Sequence, residues 1–452
     1  MNFAGKKVLV LGAGVSGRAV SKILRQQGAG VLLSDAKETA AFNCDFSELT
    51  SCGVELALGR QDQALLTGVD YVVLSPGVSI YSPLVEQAKQ QGLLVLSEIE
   101  VAYQLCPAPI IAITGTNGKT TTTTLIGEIL KAAGRDAVVG GNIGLALSQE
   151  VQKATTSSMV VAEISSFQLE AVVDFRPHIA VILNLTPDHL DRHRTMANYQ
   201  AAKENIFRNQ NESDYLILNY DDPIVRDMAA RAAAQIFYFS RLTELPEGIF
   251  VRDGVITVNW RGVMQEICQT DEIKIKGAHN VENALAACAA AFISGVDNHT
   301  MARVLKEFPG VEHRIELVAE INGVSYYNDS KATNPESAIK ALESFPGHIL
   351  LIAGGRDKNT DLTEFMRLVK ERVDHLILIG EAAERFAAAA AAHDITQVHR
   401  AESLAAAVEL ADKLARPPQV VLLSPACASY DMFNNYEERG RVFKALVNQL
   451  RK

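Results

Sequence analysis

The sequence predicts an α/β protein built from three α/β domains, and three observations predict it. The chain restarts three times with a short apolar run, a glycine-containing turn and a helical stretch, which is the rhythm of parallel α/β units. Its 452 residues suffice for about three domains of ordinary size. Hydrophobic residues make up 48% and charged residues 21%, ordinary globular usage, so the chain is expected to be folded almost throughout.

In the first domain, Lys7–Leu11 is an expected strand that leads into Gly12-Ala13-Gly14-Val15-Ser16-Gly17. A helix to about Gln27 and a strand at 31–34 ending on Asp35 follow, then strands at 71–75, closed by Pro76-Gly77, and at 93–96. The second domain opens with Ile110–Thr114, and its further strands are expected at Met159–Glu163, 179–185 and Tyr215–Asn219. Asp253-Gly254 between two alternating runs predicts a tight hairpin over 249–258. The alanine-rich 281–294 is an expected helix, and Phe308-Pro309-Gly310 breaks the pattern. In the third domain, strands are expected at Val324–Asn328, 348–353, 375–379 and 419–423, with a helix over 382–392. The expected boundaries are 1–97, 98–310 and 311–452.

Forty-three basic against 53 acidic residues leave a net charge of −10, spread along the chain. Electrostatic capture of nucleic acid or of an anionic membrane is therefore disfavoured, and an anionic substrate needs a local basic group. The six cysteines form no CxxC pair, which points to free thiols in a reducing compartment. Without a signal-like leader or an apolar run of about 18 residues, the expected location is the cytoplasm.

The clearest chemical signal is Gly115-Thr116-Asn117-Gly118-Lys119-Thr120, between an apolar strand and a threonine-rich helix start. Glycines let backbone N–H groups converge on phosphate, Lys119 neutralises the outer phosphates, and the Thr120 hydroxyl can ligate Mg²⁺. The spacing is two residues shorter than the usual GxxxxGK[ST] pattern. Glu163 and His189 fall at expected strand ends, where α/β sheets bind ligands, and join the loop as a metal-site hypothesis. A lone glutamate or histidine there is more often a cap or a solvated group.

Gly12-x-Gly14-x-x-Gly17 with Asp35 fits a dinucleotide fingerprint. On its own it suggests a nicotinamide dehydrogenase, but the phosphate loop makes a nucleotide sugar the better ligand. Three polar clusters end strands in the third domain: 328–334, 354–358 and 424–429. Arg314, Lys331 and Lys358 supply positive charge there. A GTPase switch lacks its Asn-Lys-x-Asp motif in this chain, and a folylpolyglutamate-type ligase would leave the first domain unexplained.

These residues resemble the Mur ligase family over nearly the whole chain. The marks are Ile113 to Thr120, Gly141-Asn142-Ile143-Gly144, Glu163-Ile164-Ser165-Ser166-Phe167-Gln168-Leu169, Asp188-His189-Leu190-Asp191-Arg192, His279-Asn280, His313-Arg314, the 328–334 cluster and Ser424-Pro425-Ala426-Cys427-Ala428-Ser429. The Asp-Asn-Pro-Arg run of the members that add a diamino acid is absent, so the D-glutamate-adding members fit best. The resemblance implies a Rossmann-like nucleotide-sugar domain, a central P-loop ATPase domain and a Rossmann-like C-terminal domain. It further implies ATP-driven addition of D-glutamate to UDP-N-acetylmuramoyl-L-alanine through an acyl phosphate, in peptidoglycan synthesis. Expected cofactors are ATP and two Mg²⁺ ions, with no nucleic-acid partner, no membrane insertion and a monomeric state.

By the same resemblance, Lys119, Glu163, His189, Lys203 and Lys331 are the catalytic set. Gly115, Thr116, Asn117, Gly118, Lys119, Thr120 and Thr121 hold ATP, with Asn283, Arg314 and Asp329 at its adenine and ribose end. Gly14, Val15, Ser16, Asp35, Lys37, Ser75, Gly77, Asn142 and His189 take the UDP-sugar, while Thr333, Lys358, Ser429 and Tyr436 take D-glutamate. Thr120, Glu163, His189 and a carbamylated Lys203 hold the metal.

Overall fold

The computed structural model describes residues 1–42, 44–357 and 360–451, with Asp191 described by its backbone alone. They pack as two compact units, Met1–Glu272 with Glu282–Lys306, and Ile273–Val281 with Glu307–Lys452. Two sheets belong to the first unit and one to the second.

The first sheet joins β1 (Lys7–Leu11), β2 (Gly30–Asp35), β3 (Glu55–Leu58), β4 (Tyr71–Leu74) and β5 (Leu94–Ser97) in the order β3-β2-β1-β4-β5, all parallel. The chain winds outward in both directions from the β1/β4 pair. A crevice therefore opens beyond the carboxyl ends of those two strands, at Gly12 and Ser75. Strand β1 is a continuous apolar run because both its faces are covered: Val8 and Val10 enter one core, Leu9 and Leu11 the other.

The second sheet holds β6 (Ile110–Thr114), β7 (Ala137–Gly141), β8 (Met159–Glu163), β9 (Ile179–Ile182), β10 (Tyr215–Asn219), β11 (Gln235–Ser240), β12 (Gly248–Arg252), β13 (Val255–Trp260) and β14 (Val263–Gln269). Its order is β14-β13-β12-β11-β10-β9-β6-β8-β7, parallel from β7 to β12 and antiparallel through β12, β13 and β14. The hairpin expected over 249–258 forms, with Asp253 at φ 50° and Gly254 at φ 79°, the two positive values of a primed turn. The strand expected over 179–185 stops at Ile182. Beyond it Asn184 turns its carboxamide to the phosphate loop, and Leu185 N–H donates to Asp222 Oδ2 instead of to a ladder.

In the second unit β15 (Glu316–Ile321), β16 (Val324–Asn328), β17 (Ile349–Gly354), β18 (Val373–Ile379), β19 (Val398–Arg400) and β20 (Val420–Leu423) run in the order β15-β16-β20-β17-β18-β19. Only β15 is antiparallel. The last strand of the chain thus lies between β16 and β17. That placement gathers the three polar clusters at neighbouring carboxyl ends, where an α/β sheet binds ligands.

Candidate active site

A cavity of about 730 Å³ opens at the β1/β4 crevice of the first unit. Of the expected nucleotide-sugar residues, Gly14, Val15, Ser16, Asp35 and Lys37 line one side of it, and Ser75, Gly77 and Asn142 another. His189 is not among its lining. The helix Val15–Gln26 starts there with no acidic residue in its first turn, so its N–H groups offer a cradle for phosphate. Gly17 permits this tight entry, because a Cβ on it would lie 1.8 Å from Gly12 O. The Asp35 carboxylate accepts N–H groups from Ala13 at 2.8 Å and Lys37 at 2.9 Å, so it shapes the glycine turn as well as facing the cavity.

The phosphate loop joins β6 to the helix Lys119–Ala132. Gly118 caps that helix at φ 86°, and a Cβ there would meet Asn283 Oδ1 at 2.2 Å. Thus Asn283, whose Oδ1 accepts from Thr122 Oγ1 at 3.3 Å, lies against the loop. Thr120 and Thr121 are buried in the first helical turn, and Lys119 Nζ donates to Gly115 O at 3.0 Å and Thr116 O at 2.8 Å.

Glu163 ends β8, beside β6 in register with Ile113. It is 2% exposed; its Oε1 accepts from Asn142 Nδ2 at 2.8 Å, whereas its Oε2 is buried with no hydrogen-bond partner. A buried carboxylate oxygen left bare is costly unless a cation meets it, so the donor set fits a divalent ion.

Lys203 is 1% exposed at the end of the helix Met196–Glu204. Its Nζ donates to Gly115 O at 2.8 Å and lies 4.7 Å from the Tyr199 ring centroid. Burial, helped by the Lys119 charge, pushes its ammonium well below the ordinary lysine range. His189, at φ 53°, packs its ring 4.8 Å from that of Phe167, with Nε2 3.5 Å from Asp188 Oδ2. Among the described residues, the grouping of three carboxylate and imidazole ligands is instead Glu312, His313 and Glu316, in the second unit. Lys444 ion-pairs with both of its glutamates.

The sequence alone assigns no role to Asn184 or Tyr199, nor to Arg192, which it marks only as part of the Asp188–Arg192 run. Arg192 donates to Pro76 O at 2.8 Å, Val78 O at 3.0 Å and Glu170 Oε2 at 2.5 Å, tying the Pro76-Gly77 turn to the segment after His189. Tyr199 OH lies 3.2 Å from Thr116 Oγ1.

In the second unit, Asp329 is 2% exposed, accepts from Ser424 Oγ at 2.7 Å, and has its carboxyl pushed up to about 7 by burial, against the pull of Arg314. Lys331 lies with Nζ 5.7 Å from the Tyr436 ring centroid, and Thr333 N–H donates to Lys331 O at 2.9 Å. Ser429 is buried, and its carbonyl accepts from Met432 and Phe433. Lys358 lies outside the described residues. The residue sequence reasoning missed here is Arg439, wholly buried in the helix Tyr436–Gln449. Its guanidinium donates to Ser330 Oγ at 3.0 Å, Ser330 O at 2.8 Å, Cys427 O at 3.2 Å and Ala428 O at 3.3 Å. It thereby knits two of the polar clusters together.

Parallel sheets with a phosphate loop beside a bare buried carboxylate define a nucleotide-phosphate-binding protein of the α/β class. The Mur ligase MurD-like N-terminal domain matches residues 6–97, the Mur ligase middle domain 113–291, and the Mur ligase glutamate ligase domain 313–427. The UDP-N-acetylmuramoylalanine–D-glutamate ligase of Pelotomaculum thermopropionicum is 49% identical over 451 residues, covering 100% of this chain and 99% of that protein. The ligase of the same name from Geotalea uraniireducens is 47% identical over 450 residues, covering 100% and 99%. Among solved structures, the UDP-N-acetylmuramate–alanine ligase of Thermotoga maritima shares the fold at a TM-score of 0.61 and 19% identity, over 98% of this chain and 99% of that one. The chain belongs to the Mur ligase family.

Proposed function

We propose that the protein is an ATP-dependent amide ligase that adds D-glutamate to UDP-N-acetylmuramoyl-L-alanine, acting in the cytoplasm as a monomer. The acceptor and the amino acid rest on full-length similarity to ligases named for that reaction. The observation that carries the chemistry is the bare Oε2 of Glu163 on the strand next to the phosphate loop. Among the described residues no helix is long and apolar enough to cross a membrane. The domain limits 1–97, 98–310 and 311–452 accompany this reading.

One oxygen of the L-alanine carboxylate attacks the γ-phosphorus of ATP, the bond to the β,γ-bridging oxygen breaks, and ADP leaves. The amine of D-glutamate then attacks the acyl carbon, the carbon–oxygen bond to phosphate breaks, and the nitrogen loses a proton as the amide forms. Both steps load negative charge on transferring oxygens, so positioning and cationic groups supply most of the catalysis. Lys119 and the first-turn N–H groups hold the phosphates, while Asn142 links the sugar cavity to Glu163. Mg²⁺ held by Glu163 and Thr120 would supply positive charge to the phosphate oxygens.

The finer form of the reading gives His189 and a carbamylated Lys203 to a second ion. Burial lowers the Lys203 amine well below the ordinary lysine range and so favours its neutral form, which is the form that adds CO₂, forming an N–C bond and releasing a proton to solvent. Lys203→Ala is then expected to lose activity that a short carboxylic acid partly restores; a fully active variant would make Lys203 an ordinary helix lysine. For the function itself, incubation with UDP-N-acetylmuramoyl-L-alanine, ATP and a panel of amino acids should yield one amide product by mass spectrometry. Product formed equally with L-glutamate or L-alanine would overturn the assignment.

A further inference from the structure

The loop between Gly115 and Gly118 is two residues short of the usual pattern, yet its amides are not left loose. Asn184 Oδ1 accepts Thr116 N–H at 3.1 Å and Asn117 N–H at 2.8 Å, while Asn184 Nδ2 donates to Asn117 O at 3.1 Å. The Asn184 backbone oxygen also accepts Thr116 N–H at 3.0 Å. A carboxamide that accepts and donates against one backbone stretch does what a peptide group does in a hairpin.

We infer that Asn184 is a positioning residue for ATP: its side chain replaces the peptide group that the shortened loop lacks and fixes the loop in its phosphate-holding shape. The inference rests on the ATP reading above. It divides the labour in the loop. The Thr116 and Asn117 amides are committed to Asn184, while the ATP reading gives the phosphates to the first turn of the helix Lys119–Ala132. The Thr116 side chain is held from the same segment, since its Oγ1 donates to Thr186 O at 3.1 Å and accepts Thr186 N–H at 3.0 Å. Asn184 therefore anchors the loop to the end of β9, and the early end of that strand is what frees its side chain to do so.

The side chain is only half-buried, so its removal leaves the core of the sheet intact. The test is calorimetric titration of the wild type, Asn184→Ala and Asn184→Asp with a non-hydrolysable ATP analogue, and with the UDP-sugar as control. Asn184→Ala is expected to bind the analogue about tenfold more weakly. Asn184→Asp, which loses the donor and sets a negative charge beside the phosphates, should bind it more weakly still. Both should bind the UDP-sugar within about twofold of wild type and melt within a few degrees of it. Analogue binding by Asn184→Ala within twofold of wild type would overturn the inference, as would an equal loss of UDP-sugar affinity, which marks a merely structural residue. Failure of the wild type itself to bind the analogue would instead sink the ATP reading.

Discussion

The end of β8 in the first unit and the ends of β16 and β20 in the second both bury polar side chains, but they leave them in opposite states. At Glu163 one carboxylate oxygen is held by Asn142 and the other has no partner. At Arg439 the guanidinium reaches four oxygens of the protein itself, and Asn328 meets His313, Glu316 and Ser330. A bare buried group is a seat for something that comes from solution, whereas a satisfied network is a frame. In the proposed function Glu163 therefore serves the chemistry, whereas Arg439 holds the shape of the loops that carry Lys331 and Ser429.

The Glu163 and Arg439 sites are therefore expected to fail differently. Glu163→Gln should cut turnover by about a thousandfold without any loss of stability to denaturant, since it removes a costly buried charge. A variant that loses stability in proportion to activity would erase the distinction. Arg439→Met should do the reverse first, destabilising the second unit by about 3 kcal/mol as several buried oxygens lose their donor. Unchanged denaturation midpoints would show that Arg439 does not frame the loops.

Asp329 sharpens the comparison through pH. Burial raises its carboxyl to about 7, above its unfolded value of 3.8, so the folded state holds the proton longer. Its stability contribution is then greatest in acid and falls as pH rises from about 4 through about 7, by a few kcal/mol. Asp329→Asn should flatten that slope in thermal melts taken across the range; a slope unchanged by the substitution would place the titration elsewhere. The smallest effect is expected at the link between sugar cavity and carboxylate, where Asn142→Ala should lower kcat/KM for the UDP-sugar about tenfold. No change there would separate the cavity from Glu163.

Strands buried on both faces were legible as continuous apolar runs: Lys7–Leu11, Ile110–Thr114, Met159–Glu163 and Tyr215–Asn219 were expected with these bounds. The strands that sequence did not isolate are mostly sheet edges. Strand β14 exposes its first four residues, β19 spans three, and β3 and β15 are half-covered, so none offers a long run. Within the site, residues that stand in a local sequence motif were readable, from Gly115–Thr120 to Asp35. Those that face other protein atoms were not. Asn184 was hidden between Leu183 and Leu185, which extend the apolar run, and Arg439 lies in Glu437-Glu438-Arg439-Gly440-Arg441, which has the composition of a solvated helix start. Their partners are backbone atoms distant in sequence, and no local pattern encodes them.

The central claim is that the phosphate loop serves a carboxylate, and isotope transfer tests it most directly. With ¹⁸O in the L-alanine carboxylate of the UDP-sugar, a single turnover with ATP and D-glutamate should place one ¹⁸O in the released inorganic phosphate. Label retained wholly in the amide product and water, or transferred to AMP, would contradict phosphorylation of the carboxylate and with it the account of the site.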